Sequence, residues 1–359
     1  MELAAMYASI VNTIENCQST GSKQYPSGLF PSQRVHPLIN YQREDSNIFF
    51  SALIVFTLQE LKSWLPANVL PKIDSITNKV ISNYPNYQHY ADRSTYNLWQ
   101  RNPTAHFPNG RLLNKMSFLA LPADSDDTSL IYLTSPVSED IPAVKHKLEG
   151  HYQSGAPLSP LTLKIYSDLS AYPTFLGKKI KREYDVCVMC NILYMVFRFK
   201  LKTSEVDLDT IEFIRRVLET QDYKENPFRV SPNYNNRAVI LYHIARLVAS
   251  FDQSELEILK EPLIHCLRQE VHRCSDFMES LLIRSSLLRL GIKPSPLPTP
   301  ANMRKAFHNF YFFQAGMLSG LQKASLNKLA GWRFFHLKYR CEAYYWTLWL
   351  EYKIRLKQH

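Results

Sequence analysis

Asp124-Ser125-Asp126-Asp127-Thr128, running directly into Ser129-Leu130-Ile131-Tyr132-Leu133, is the stretch on which the reading of this chain turns. Three carboxylates fall within four residues, where an apolar helix is expected to begin. Acids at a helix start accept hydrogen bonds from its unpaired N–H groups and meet the positive end of its dipole. One or two suffice for that. The third raises the expectation of proton chemistry.

Working outward, the rest of the chain reads as a succession of helices. Those near 47–62, 126–134, 184–199, 237–251, 275–290 and 341–354, with 310–321 as a further candidate, are apolar nearly all round, as helices enclosed by other elements are. More charged helices alternate with them, near 67–82, 138–152, 206–220 and 254–273. In 206–220, Ile211, Ile214, Val217 and Leu218 share one face, while Glu212, Arg215, Arg216 and Glu219 share the other. Buried helix followed by half-exposed helix, for about six rounds, is the pattern of an all-α fold. The expectation is an α/α toroid of about six inner and six outer helices, with residues 1–359 as one domain. No fixed-period repeat argues for a solenoid, and the proline-rich stretch 293–300 reads as a stiff connection between helices.

Composition narrows the function classes. The chain has 359 residues, 45% hydrophobic and 21% charged, with a net charge of +10. This is the composition of a folded globular protein. Gly numbers only 10, and neither G-x-G-x-x-G nor G-x-x-x-x-G-K-[ST] occurs, which argues against the usual nucleotide-binding folds. The Lys and Arg residues are dispersed, so no nucleic acid is expected as partner despite the positive charge. The six cysteines lie mostly in apolar patterns without zinc spacing, which points to buried thiols and a cytoplasmic location. No secretory leader and no 18-residue apolar run is legible. The C-terminal stretch from Tyr344 to Lys357 mixes aromatics with cations. It suits either a final helix closing the ring or a peripheral membrane contact.

The connections into the enclosed helices carry acids: Glu44-Asp45, Asp124 to Asp127, and Glu183-Tyr184-Asp185. If those helices run the same way, the acids crowd one rim of a central cavity. The alternative is that each is an independent cap.

The motif D-x-D-D-T at Asp124–Thr128 resembles the acid motif of class II terpene cyclases, the squalene–hopene and diterpene cyclase type, which are built from α/α toroids. The resemblance covers about ten residues, from Pro122 to Leu133, together with the alternation of helices. It implies acid-initiated cyclisation of an isoprenoid. The middle aspartate, here Asp126, is then the proton donor, and Asp124 and Asp127 hold it in orientation. A cation formed by protonation needs ring faces around it. Candidates for lining the substrate site are Trp99, Phe107, Tyr132, Tyr184, Tyr234 and Tyr242, with His106 and His243 as positioning groups and Asp185 on the rim. A diphosphate on the substrate would meet Arg111, Lys115, Lys181, Arg182 or Arg237. The chain lacks the family's Gln-Trp repeats and second domain, so its cavity would be closed by loops or by a homodimer. It also lacks the paired motifs of magnesium-dependent ionisation, so neither a metal nor any other cofactor is expected. Two other readings stay open: a glycoside hydrolase on the same scaffold, pairing Asp126 with Asp45 or Asp185, and a non-catalytic helical binding scaffold.

Overall fold

A computed structural model of the chain describes residues 2–89, 92–110, 114, 121–153, 156–176, 181–316 and 332–359. In chain order, α1 (Glu2–Cys17) precedes a hairpin of β1 (Ser32–His36) and β2 (Tyr41–Asp45), then α2 (Ile48–Leu61) and α3 (Leu70–Ile81). The short strands β3 (Gln88–His89), β4 (Asp92–Tyr96) and β5 (Ala123–Asp124) lead to α4 (Ser125–Thr134) and α5 (Ile141–Gln153). Next come β6 (Phe175–Leu176), α6 (Val186–Arg198), α7 (Glu205–Glu219), the single turns α8 (Asp222–Glu225) and α9 (Pro227–Val230), and α10 (Arg237–Val248). The chain finishes with α11 (Ser254–Glu270), α12 (Phe277–Arg289), short α13 (Met303–Phe307), β7 (Phe313–Gly316), β8 (His336–Arg340) and α14 (Glu342–Gln358).

The apolar helices pack as their sequences demand. Every residue of α2 from Ile48 to Leu58 is buried, so this helix meets protein on all sides. Contacts run from α2 to α4, α4 to α6, α6 to α10, α10 to α12, α12 to α14, and from α14 back to α2. Half-exposed helices lie against them: α3 on α2, α1 on α14, α7 on α6, and α11 on α10 and α12. In α7, Ile211, Ile214, Val217 and Leu218 are buried, and Ser204 and Asp207 form a capping box that closes its first turn.

The all-α expectation is nevertheless wrong. Two four-stranded antiparallel sheets, in the orders β2-β1-β8-β7 and β3-β4-β5-β6, make the fold mixed α/β rather than an α/α toroid of inner and outer helices alone. In the first sheet Ser32 pairs with Asp45, Gln33 with Arg340, and Phe313 with Tyr339. The residues expected as a helix over 310–321 form β7 at 313–316, because a partner strand was waiting for that aromatic run; residues 317–321 lie outside the described residues. Three strands feed helices almost directly. β2 ends two residues before Asn47 caps α2, β5 ends at the cap of α4, and β8 stops one residue short of Cys341 at the head of α14. The sheets therefore sit at the helix N-termini, and they fix where the acids emerge.

At the opposite helix ends an ionic clamp joins four elements. Arg289 bonds Glu351 at 2.6 Å and Glu60 at 3.0 Å, Arg355 bonds Glu351 at 2.8 Å, and the Tyr242 hydroxyl donates to Glu351 at 2.6 Å. Arg289 and Glu351 are fully buried, and Arg289 and Arg355 hold the Glu351 carboxyl down to about 2 despite its burial. All six cysteines are unpaired; Cys187, Cys190, Cys266 and Cys341 are buried, while Cys17 and Cys274 are half-buried. Among the described residues no helix is long and apolar enough to cross a membrane.

Candidate functional site

The three aspartates of the opening motif take three different positions. Asp124 caps α4: its Oδ1 accepts from the backbone N–H of Asp126 at 2.8 Å and of Asp127 at 3.4 Å. Its own carbonyl accepts from the Thr128 hydroxyl, which in turn accepts from the Tyr96 N–H of β4. The threonine of the motif thus ties helix to sheet. Asp126 and Asp127, in the first turn, are buried. Asp126 Oδ1 accepts from Asn191 Nδ2 of α6 at 2.5 Å, and its Oδ2 accepts from the Tyr234 hydroxyl. Asp127 Oδ1 has no partner among the described residues.

Burial governs the charge state of all three. It raises the carboxyl of Asp124 to about 8, reinforced by neighbouring Asp126 and opposed by the two N–H donors. Asp127 is held well above the carboxylate range by burial, then by Asp124 and Asp126. Burial raises Asp126 as well, while Tyr234, Asn191 and Arg246 pull the other way. Burial therefore outweighs the helix dipole, which favours ionised acids at this end.

Behind Asp126 stands a buried chain of polar groups. Arg246 of α10 donates through Nη2 to Asn191 Oδ1. An amide whose oxygen is taken by a guanidinium presents its NH2 elsewhere, so Asn191 donates to Asp126 Oδ1. That leaves Oδ2 as the oxygen shared with Tyr234. Asp185 caps α6 by accepting from Cys187 N–H at 2.9 Å, and also accepts from Ser231 Oγ at 2.6 Å and Asn233 N–H at 2.8 Å. Burial pushes it up to about 7 against these donors.

Aromatic rings cluster on Tyr234. Phe49 lies at 5.8 Å, Phe312 at 6.1 Å, Phe313 at 6.3 Å and the His243 ring at 5.2 Å between centroids. Burial, then the Arg246 charge, keeps His243 neutral, well below the usual histidine range.

The other expected residues fall elsewhere. Trp99 and Phe107 belong to a second centre, where Arg34 bonds Asp45 at 2.7 Å and its guanidinium lies 5.7 Å from the Trp99 ring and 5.5 Å from Phe107. The Trp99 N–H donates to Asp45, and His106 packs edge-on against Phe107 with both ring nitrogens unpartnered among the described residues. Asp45 is thus committed to Arg34, Asn47 and Trp99. That engagement makes it a poor partner for Asp126 in a hydrolase. Tyr132 donates to the Ser94 carbonyl and packs on Tyr96. Tyr184 donates to Leu169 and meets Phe213 of α7, away from the Tyr234 cluster. Tyr242 is locked to Glu351 in the clamp. Arg237 is engaged by Glu270 and Glu279, and Arg111 and Lys115 lie outside the described residues.

Asn191, Arg246, Ser231 and Arg34 were not foreseen. A lone amide within the apolar run Val186–Phe197 and a lone guanidinium inside buried α10 were the available signals, since polar groups are placed in a core only with partners. Among the described residues no group of three or more His, Cys, Asp or Glu is arranged to hold a metal ion. No protein-family model, no curated protein and no solved structure matches this chain.

Proposed function

We propose that this chain is an enzyme that protonates an isoprenoid from Asp126 and lets the resulting cation cyclise, in the manner of class II terpene cyclases. The observation that carries the reading is the setting of Asp126: a buried acid, raised by its surroundings, yet aimed between two donors beside a cluster of rings. Burial strengthens this acid's hold on its proton, with Tyr234, Asn191 and Arg246 pulling the other way. Asn191 and Tyr234 stabilise the carboxylate left behind when the proton moves to an alkene carbon, which lowers the cost of giving it up. Asp124 orients the first turn through its two N–H bonds, and the rings of Phe49, Tyr234, Phe312 and Phe313 supply faces that attract a cation. The six unpaired cysteines suit a reducing compartment such as the cytoplasm.

The test is incubation with geranylgeranyl diphosphate and with squalene in deuterated water containing a chelator, followed by mass analysis. The expected product is a cyclised hydrocarbon skeleton carrying one solvent deuterium. Asp126→Asn should abolish its formation, and Asp276→Asn, which alters only the cap of α12, should preserve it. Absence of turnover on every prenyl substrate, or equal loss in both variants, refutes the proposal.

A further inference from the structure

Three buried polar groups on α10 and α14 lack partners among the described residues: His243 Nε2, Arg246 Nη1 and the Tyr344 hydroxyl. All three residues are at most 1% exposed. His243 and Arg246 stand one turn apart on α10. Phe312 bridges the remaining gap, its ring 5.6 Å from His243 and 4.8 Å from Tyr344. The Arg246 charge acts on the Tyr344 hydroxyl. Each unsatisfied buried polar atom costs about 1–3 kcal/mol, which favours a partner for each of the three.

The chemistry of the three atoms defines what fits between them. His243 Nδ1 lies 2.8 Å from the Val239 carbonyl, an acceptor only, so Nδ1 carries the hydrogen. In a neutral ring Nε2 is then a bare acceptor. Arg246 Nη1 only donates, and the Tyr344 hydroxyl does either. A metal cation is repelled by Arg246. An anion faces the Nε2 lone pair. A neutral hydroxyl oxygen satisfies all three at once, donating to His243, accepting from Arg246 and exchanging either role with Tyr344.

We infer that His243, Arg246 and Tyr344 form a buried binding site for one hydroxyl oxygen, filled by a water molecule in the resting protein. The site adjoins the Asp126 centre through two residues, since Tyr234 packs on His243 and Arg246 bonds Asn191. It does not depend on the cyclase reading.

The experiment is a high-resolution crystal structure of the full chain, with nitrogen NMR of His243 recording magnetisation exchange with solvent water. The expected result is an ordered oxygen at hydrogen-bond distance from Nε2 and from at least one of the other two groups, with a water cross-peak at His243. Tyr344→Phe keeps the ring on Phe50 and Phe312 and should fold, but weaken or abolish that cross-peak. Direct pairing of Nε2 with Tyr344 or Arg246, a dry site, or a His243 signal untouched by Tyr344→Phe overturns the inference.

Discussion

Replacing Asp126 by Asn tests how the core tolerates its acids. Asn matches Asp in shape, so no cavity opens. Its oxygen keeps the bond from Asn191 at 2.5 Å, and its NH2 donates to the Tyr234 oxygen once that hydroxyl turns. What disappears is charge. Two charge-assisted bonds worth about 1.5–3 kcal/mol each become neutral bonds worth about 0.5–1.5 kcal/mol, a loss of roughly 2–3 kcal/mol where Asp126 is ionised. Against this, the substitution removes the desolvation of a carboxylate, which amounts to roughly several kcal/mol, and its repulsion with Asp124 and Asp127. The second effect is the larger. The sign of the pH dependence follows from the raised folded-state values: stability from these acids is full below about pH 4 and is lost as pH rises through the folded values. Those values are about 8 for Asp124 and about 7 for Asp185. Urea denaturation followed by tryptophan fluorescence at about pH 5 and about pH 8 should show the variant within about 1 kcal/mol of wild type at the lower pH. At the higher pH it should be about 1–3 kcal/mol more stable, with a flatter pH profile. A variant destabilised by more than about 2 kcal/mol at the higher pH, with the wild-type slope, would refute the argument that burial dominates this cluster.

The clamp at the other helix ends behaves in the opposite sense. Arg289→Ala strands Glu351 and Glu60 without their shared cation and should cost about 3–5 kcal/mol in urea unfolding; because Glu351 is depressed to about 2, its stabilisation disappears as acid is added through that value, a loss visible as acid unfolding. Gly28 has φ +87, and an added Cβ would sit 2.6 Å from the Lys79 carbonyl oxygen, so Gly28→Ala should lower stability by about 1–3 kcal/mol, measured by thermal melting.

Much of the helical framework is legible in the sequence because apolar runs longer than two turns leave few other solutions. α2, α6 and α10 begin within two residues of where their runs begin, and the two-faced pattern of α7 holds residue by residue. The strands are not legible, for a physical reason. β1 reads Ser-Gln-Arg-Val-His and β2 reads Tyr-Gln-Arg-Glu-Asp, so their stability comes from pairing and from burying Arg34 on Asp45, neither of which shows as hydrophobicity. β5 and β6 hold two residues each, too few for any periodicity. α1 was within reach: Tyr7, Ile10, Val11 and Ile14 form a helical stripe, and all four are buried. The acids were found, but their roles depend on partners far along the chain. Tyr234 lies 108 residues from Asp126, and no local pattern brings the two together.

The pairing of β1 with β8 has a consequence for how the chain comes to be folded. Gln33 and Arg340 are neighbours in the first sheet, and α1 lies on α14. Closing that contact brings together segments some three hundred residues apart, so the entropy of loop closure must be met before the sheet rewards it. During synthesis α2 therefore emerges with one side bare, and it stays so until α14 has left the ribosome. Throughout that interval a helix as apolar as Ile48–Leu61 is a surface that holdase chaperones recognise, and one on which nascent chains associate. Loss of the segment carrying β8 and α14 would leave that surface exposed for good, which makes the yield of soluble chain a sensitive report on this seam.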